Sequence, residues 1–449
     1  MRKINPGAKW LLPIAVFGIS AITIVGSSFD KNEHASKPVA KCCSKSGTPH
    51  VCVMKTILGI DSSEDGRRIS TFTTTPMIDS AVKRGMNWIV AAQAPDGGWG
   101  AGSHYAQEIR DPHAVAADPA STSLVGMSLL RTGNTLDKGE YAAALKKGTE
   151  YLLKAVENCP DDRLQITILE NTQPQVKLGK NIDVILTAQF FTNLLRYELK
   201  DEQLKKRVDK ALDKCIVKIQ KTQSNNGAWQ NGGWAPVLQS ALANNALESA
   251  DDLGRKVDST VLQRSREYQK FNFNAENKSV VTSDAAGVML YSVTSSVRAS
   301  AKEAKKAEEA IKKAKKEGKL KGDAAVSEEN LVVSGYSTTE SKNLSTAYKI
   351  NSVAKAEAIK DDVMAGFGNN GGEEFLSFLM TGESMLMQGG DSFKKWYDMM
   401  SAKLVNIQNQ DGSWNGHHCI TSPVVCTATC LLILSIHNDM QFSFQLDQK

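Results

Sequence analysis

The sequence predicts an all-α protein, an (α/α)6 toroid of helical hairpins behind an N-terminal transmembrane anchor or signal segment. Three observations lead there. From Thr75-Pro76 onward apolar residues recur at helical spacing and no strand-like alternation competes with them. Helices with one wet side alternate with helices that are apolar nearly all round, at roughly 50 to 60 residues per pair, which reads as an internal repeat. A short string ending in Asp/Asn-Gly-x-Trp returns at the ends of the wet-sided helices.

The 449 residues, 41% hydrophobic and 23% charged, belong to a globular body and exclude a disordered, collagen-like or multi-pass membrane chain. The net charge of +5 is local, because Arg298 to Lys321 holds ten Lys/Arg against four Glu. No basic face with interleaved aromatics emerges, so no nucleic-acid partner is expected. Eight cysteines are too few to frame a chain of this length, so the core must hold itself.

In chain order, residues 1–28 form the first segment. Arg2, Lys3 and Lys9 precede Trp10 to Gly26, 17 residues without a charge. That length sits between a signal-peptide core and a short spanning helix, and both readings stay open. Either one exports the body, which is then periplasmic or extracellular. Residues 29–75 are Ser, Thr, Lys and Gly rich and read as a polar tether. The toroid is assigned to 76–440.

Its predicted pairs, wet-sided helix first, are 78–92 with 120–131, 140–156 with 183–197, and 204–221 with 237–249. Three further pairs follow less cleanly: 258–270 with 283–296, a helix somewhere in 341–359 with 373–387, and 392–407 with 423–436. The clearest wet-sided helix puts Leu204, Val208, Ala211, Leu212, Cys215, Ile216 and Ile219 on one face and lysines on the other. The buried type is rich in small and apolar residues, as in Val424 to Leu434. Six pairs with an apolar inner set argue for closure. The Lys/Glu/Ala stretch at about 298–323 interrupts the pattern and reads as a solvated helix or floppy insertion with no apolar face beyond Ile311.

The repeated string occurs as Gln93-Ala-Pro-Asp96-Gly97-Gly98-Trp99, Gln223-Ser-Asn-Asn-Gly227-Ala-Trp229 and Gln408-Asn-Gln-Asp411-Gly412-Ser413-Trp414. Gln can cap a helix end, Asp/Asn-Gly makes a tight turn with positive φ, and Trp fills the gap between neighbouring hairpins. The strings therefore read as clamps rather than as a Trp-lined site.

This pattern resembles the QW repeats of the terpenoid cyclase and protein prenyltransferase superfamily, including the prenyltransferase and squalene oxidase repeat proteins. The resemblance covers about residues 76 to 437. It implies a toroid whose central cavity, lined by the first turns of the inner helices, takes a lipid or isoprenoid. The Asp-x-Asp-Asp acid of the cyclases is absent, as is the Asp-Asp-x-x-Asp metal motif. Asp213-Lys-Cys215 has the spacing of the prenyltransferase zinc pair, but Cys215 falls on a buried stripe.

The remaining chemical candidates gather where inner helices begin. His417, His418 and Cys419 are candidate zinc ligands, since imidazole and thiolate suit that ion. Asp111, His113, Asp118, Asp284, Glu373 and Glu374 are candidate acid-base groups around the same cavity. The expectation is an envelope-located, membrane-anchored toroid acting as a ligand-binding or scaffold protein, with other envelope proteins as partners. The alternative is a metal-assisted transferase or hydrolase acting on an isoprenoid, lipid or glycan.

Overall fold

The computed structural model describes residues 73–439 apart from 369, 389 and 390. The predicted anchor or signal segment, the tether up to residue 72 and the last ten residues lie outside the described residues. Within them the protein is all-helical, and its only β pairing is two isolated bridges. None of the described helices is long and apolar enough to cross a membrane.

The wet-sided helices are α1 (Pro76–Ala91), α3 (Ala142–Glu157), α6 (Glu202–Lys221), α8 (Ser259–Phe271), α11 (Thr338–Ala358) and α14 (Asp391–Asn406). The buried helices are α2 (Pro119–Arg131), α5 (Ile182–Leu194), α7 (Pro236–Asp252), α9 (Met289–Lys316), α13 (Gly372–Gln388) and α15 (Pro423–Leu434). Short helices α4 (Gln173–Leu178), α10 (Glu328–Val333) and α12 (Asp361–Met364) lie in connections. The alternation matches the six predicted pairs. Local chemistry sets many of the starts. Thr75, Asp118, Asp201, Ser337 and Ser422 cap the first turns of α1, α2, α6, α11 and α15. Proline stands in the first turn of α1, α2, α7 and α15, where its missing N–H costs nothing.

The buried helices pack in a cycle: α2 on α5, α5 on α7, α7 on α9, α9 on α13, α13 on α15, and α15 back on α2. They run parallel, because each follows an antiparallel wet-sided helix. One face of the array therefore collects the starts of the buried helices, and the opposite face collects their ends. Every residue of α2, α5 and α15 is buried, so these helices turn no side toward a water-filled lumen. Small hydroxyl residues allow this close approach, for example Ser123 Oγ and Thr187 Oγ1, 3.0 Å apart between α2 and α5.

The three Gln/Asp-Gly/Trp strings are clamps of one geometry. Trp99, Trp229 and Trp414 are fully buried, and each indole N–H donates to a carbonyl ten residues earlier at 2.6 to 2.8 Å. Each Trp backbone N–H donates to a hydroxyl of the following buried helix, Thr122, Ser240 or Thr427, at 2.9 Å. Each Gln amide donates both to its own glycine carbonyl and to a neighbouring wet-sided helix: Gln93 to Ala144, Gln223 to Val261, Gln408 to Ala81. The third clamp thus joins the last wet-sided helix to the first. Glycine is required in the turn: Gly227 has φ +89° and its missing Cβ would lie 2.2 Å from the Arg264 carbonyl oxygen.

Two sequence expectations change. The fourth buried helix begins at Met289, because Ala286 and Gly287 both have positive φ and stop a helix from starting at 283. It then runs without a break to Lys316. The lysine-rich stretch is the second half of α9, not a floppy insertion, and it does carry an apolar face. Ala304, Ala307, Ile311 and Ala314 are buried on one stripe, and Ala307 and Ile311 form a satellite core with Leu331 and Leu344. Alanines at helical spacing hid this face in the sequence, since alanine is helix former and core residue alike. At about 1.5 Å per residue, the 28 residues of α9 exceed the 13 of α2 by roughly 20 Å. The excess, with α10 and the start of α11, forms an arm beyond the ends of the buried helices.

Candidate functional site

The face where the buried helices start carries the clamps and most of the candidate residues. Three connections are tied together there. Arg110 donates to the carbonyls of Gly416 and Thr421 at 3.2 and 2.9 Å. Gln173 accepts from the N–H groups of Thr421 and Ser422 at 2.7 and 3.0 Å and donates to the Ala101 carbonyl at 2.9 Å. Gln107 donates to the Cys419 carbonyl at 2.9 Å. These bonds fix the segment from Gly416 to Ser422 over the starts of α13 and α15.

Beneath it, Glu373 and Glu374 occupy the first turn of α13 and are buried. Glu373 accepts from the Ile420 N–H at 3.1 Å. Burial, followed by the adjacent Glu374, pushes its pKa up to about 8, against the pull of Lys177. Glu374 accepts from the Tyr291 hydroxyl at 2.6 Å and from the Gly371 N–H at 2.8 Å. His418 Nε2 is 3.7 Å from Glu374, and the His418 ring meets Phe367 edge-on at 5.3 Å.

Cys419 stands on the other side of this pair. Its φ of 56° is left-handed, an uncommon position for a residue with a side chain. Its thiol hydrogen-bonds Lys177, yet burial and then Glu373 push its pKa up to about 12. The thiol is therefore neutral near pH 7. Lys177 is itself buried, with its ammonium 3.2 Å from the ring centroid of the half-exposed Trp234. His104 meets Trp234 edge-on at 6.1 Å, and burial followed by the Lys177 charge lowers its pKa.

The structure thus brings together Glu373, Glu374, His418 and Cys419 from the candidate set and adds Lys177, Tyr291 and Trp234. No sequence signal marked Lys177 or Tyr291, and Trp234 stood out only as the tryptophan of Gly232-Gly233-Trp234 behind the second string, because their relevance depends on which loops meet. The other candidates stay apart. Asp111 and His113 are exposed on a single turn, where Asp111 caps the His113 N–H at 2.9 Å. Asp118 is a buried helix cap, accepting from Ser121 N, Ser121 Oγ and Ala101 N at 2.8 to 2.9 Å. Asp284 accepts from the Tyr268 hydroxyl at 2.8 Å.

Zinc does not fit the residues proposed for it. His417 is exposed, His418 turns to Glu374 and Phe367, and Cys419 turns to Lys177, so three consecutive residues point to three surroundings. Among the described residues no group of three or more His, Cys, Asp or Glu is gathered around a metal-sized space. Asp213 pairs with Arg255 while Cys215 is fully buried, so the Asp-x-Cys spacing also makes no ligand pair.

A second buried cluster lies at the other end of the same helices and was not anticipated. Arg131, the last residue of α2, donates to Glu383 of α13 at 2.9 Å and to Asp439 after α15 at 3.0 Å. Arg298 of α9 lies 3.6 Å from Glu248 of α7 and 3.7 Å from Glu383. Glu248 also accepts from Arg266 at 2.7 Å. Arg131 lies at the negative end of the α2 dipole, and although burial disfavours its charge, Asp439 and Glu383 raise its pKa. Each residue reads as an ordinary helix position in sequence, and only the cyclic packing makes them neighbours.

Asp183, in the first turn of α5, supplies a pH prediction. It accepts from Ile166, Thr167 and Val184 N–H groups at 2.8 to 3.1 Å, yet burial outweighs these bonds and raises its pKa from 3.8 to about 7. A carboxyl whose folded pKa is raised stabilises the fold below its ordinary pKa, and that contribution is lost as pH rises through about 7. Asp183→Asn should therefore flatten the decline in stability across this window by up to about 1.4 kcal/mol per pH unit. Urea unfolding across the pH range checks this, and parallel curves for the two proteins would reject it.

Compared with known proteins, the chain matches no family model and no curated protein sequence.

Proposed function

We propose that the chain is an (α/α)6 toroid of the terpenoid-cyclase and prenyltransferase type that acts as a binding or scaffold protein at the cell envelope. In this reading residues 1–28 hold it to a membrane, and the clamp-bearing face is its working surface. The observation that carries the reading is the packing of the centre. Helices α2, α5 and α15 are buried on every side, and Asp118, Asp183, Glu373 and Glu374 accept backbone N–H bonds around the helix starts. A substrate lumen needs wall residues that face open space, and a catalytic acid needs a proton-bearing oxygen within reach of substrate. The cyclic packing of the six buried helices and the clamp from α14 to α1 support the toroid.

The test has two arms. Elemental analysis of the purified full chain should give less than about a tenth of an equivalent of zinc. Stoichiometric zinc, lost on changing His417, His418 and Cys419 to Ala, would overturn the reading in favour of a metalloenzyme. For the location, the full chain should stay with membranes through an alkaline carbonate wash and be released on deletion of residues 1–28. Release of the intact chain by the wash would remove the anchor.

A further inference from the structure

A groove of about 750 Å³ lies on the seam where the first wet-sided helix meets the last buried one. Ile78, Val82 and Met86 of α1 line one wall, and Leu434, His437 and Asn438 at the end of α15 line another. The turn after α2, through Thr132 and Asn134, supplies the third. Lys83 ties α1 to the residues before α3, donating to Glu140 at 2.6 Å and to the Tyr141 hydroxyl at 3.0 Å. The groove therefore touches every element that meets at this seam.

The C-terminal segment starts at its edge. Asp439 accepts from the Arg131 guanidinium at 3.0 Å, and Asn438 Nδ2 donates to the Arg131 carbonyl at 3.2 Å. Both residues are rooted there, and residue 440 follows within one step of about 3.8 Å. The sequence then reads Met440-Gln441-Phe442-Ser443-Phe444-Gln445-Leu446. Apolar side chains take every second place, and no charge interrupts them. That period gives an extended segment one apolar side. The lengths agree as well. From Ile78 to Met86 the wall of α1 covers about 12 Å at helical rise, and Met440 to Phe444 would cover about 13 Å when extended. Thr73 also lines the groove, but residues 61–72 before it hold five charges and only Ile69 and Phe72 as large apolar side chains.

We propose that residues 440–446 dock in this groove as an extended strap. Met440, Phe442 and Phe444 lie against α1 and α15, and Gln441, Ser443 and Gln445 face water. The occupant belongs to the same chain and begins at the groove, so docking loses no translational freedom and a modest apolar match suffices. A chain end is ordered only where it is tied down. Here the strap would bridge α1, the turn after α2 and α15, holding shut the seam at which the helical cycle closes. This reading stands independently of the membrane reading above.

Hydrogen exchange and cross-linking of the full chain in nonionic detergent test it. Phe442→Asp/Phe444→Asp should speed exchange of α1 amides by about tenfold, while the amides of α5 and α7 keep their wild-type rates. Cysteine pairs read the register. Val82→Cys with Phe442→Cys should form a disulfide under mild oxidation, whereas Val82→Cys with Ser443→Cys, on the opposite side of the strap, should form about tenfold less. Peptide mass spectrometry tells these links from those of the native cysteines. If the aspartates speed exchange in every helix alike, the cysteine pairs decide. Unchanged α1 exchange, or equal linking from positions 442 and 443, overturns the proposal. Links between isotopically heavy and light chains overturn it in favour of a second copy. Protection of α1 that is lost on replacing residues 61–72 by a Gly/Ser linker, and not on changing the C-terminal segment, overturns it in favour of the tether.

Discussion

Replacing Trp414 by alanine should destabilise the protein by about 3 to 5 kcal/mol, the loss that follows emptying a buried aromatic site. The indole is fully buried between the last wet-sided helix and the first. It lies against Gly85, where an added Cβ would approach the ring to 2.7 Å. Its N–H bond to the Leu404 carbonyl at 2.8 Å goes as well. The equivalent residues Trp99 and Trp229 join hairpins that are close in the chain, whereas Trp414 and Gln408 hold α14 to α1 across more than 300 residues. Trp414→Ala should therefore loosen α1 before the rest. Chemical denaturation gives the magnitude, and native-state hydrogen exchange should show α1 amides opening earliest. Exchange that speeds up uniformly would contradict a local seam. Gly85→Ala should also destabilise the native protein, yet be tolerated beside Trp414→Ala, because the ring that it strikes is gone. A double-mutant cycle reads that coupling directly.

Arg131→Met should lose a similar 3 to 5 kcal/mol, roughly the value for removing one partner of a buried ion pair. The guanidinium joins three buried elements, through Glu383 on α13, Asp439 after α15 and the Leu432 carbonyl at 3.2 Å. Glu383 and Asp439 hold it protonated although burial alone would favour the neutral form. Most of the expected loss is the penalty of stranding two carboxylates, not the worth of the bridges. That distinction is measurable. Adding Glu383→Gln and Asp439→Asn to Arg131→Met should recover part of the stability, since neither carboxylate is then left buried without Arg131, while Arg298 keeps Glu248 at 3.6 Å. Additive losses in the triple variant would mean that the bridges themselves stabilise the fold.

The periodicity of the helices was legible because each depends on local spacing. The face of α6 from Val208 to Ile219 is buried where the sequence places it. The clamps were legible for the same reason: Gln, Asp/Asn-Gly and Trp act within seven residues, and all three strings adopt one geometry. The apolar stripe of the arm was missed because Ala304 and Ala307 look the same in a solvated helix as in a packed one. The candidate site was half legible. Glu373 and Glu374 were recognised as the start of a buried helix, but the Ile420 N–H on Glu373, the Tyr291 hydroxyl on Glu374 and the Lys177 neighbour come from segments about 50, 80 and 200 residues away.

The sequence by itself determined the helices, their two kinds, their order and the turns that clamp them, since these follow from side-chain spacing and from backbone preferences of single residues. The tertiary structure alone decided which helix starts meet, and with that the fate of every candidate. Consecutive ligand residues His417, His418 and Cys419 were sent to different surroundings, helix-start carboxylates were consumed as caps, and Arg131, Glu248, Arg298 and Glu383 became neighbours. The physical reason is that burial, electrostatic partners and convergence at a site are properties of packing between distant segments, which no local pattern encodes.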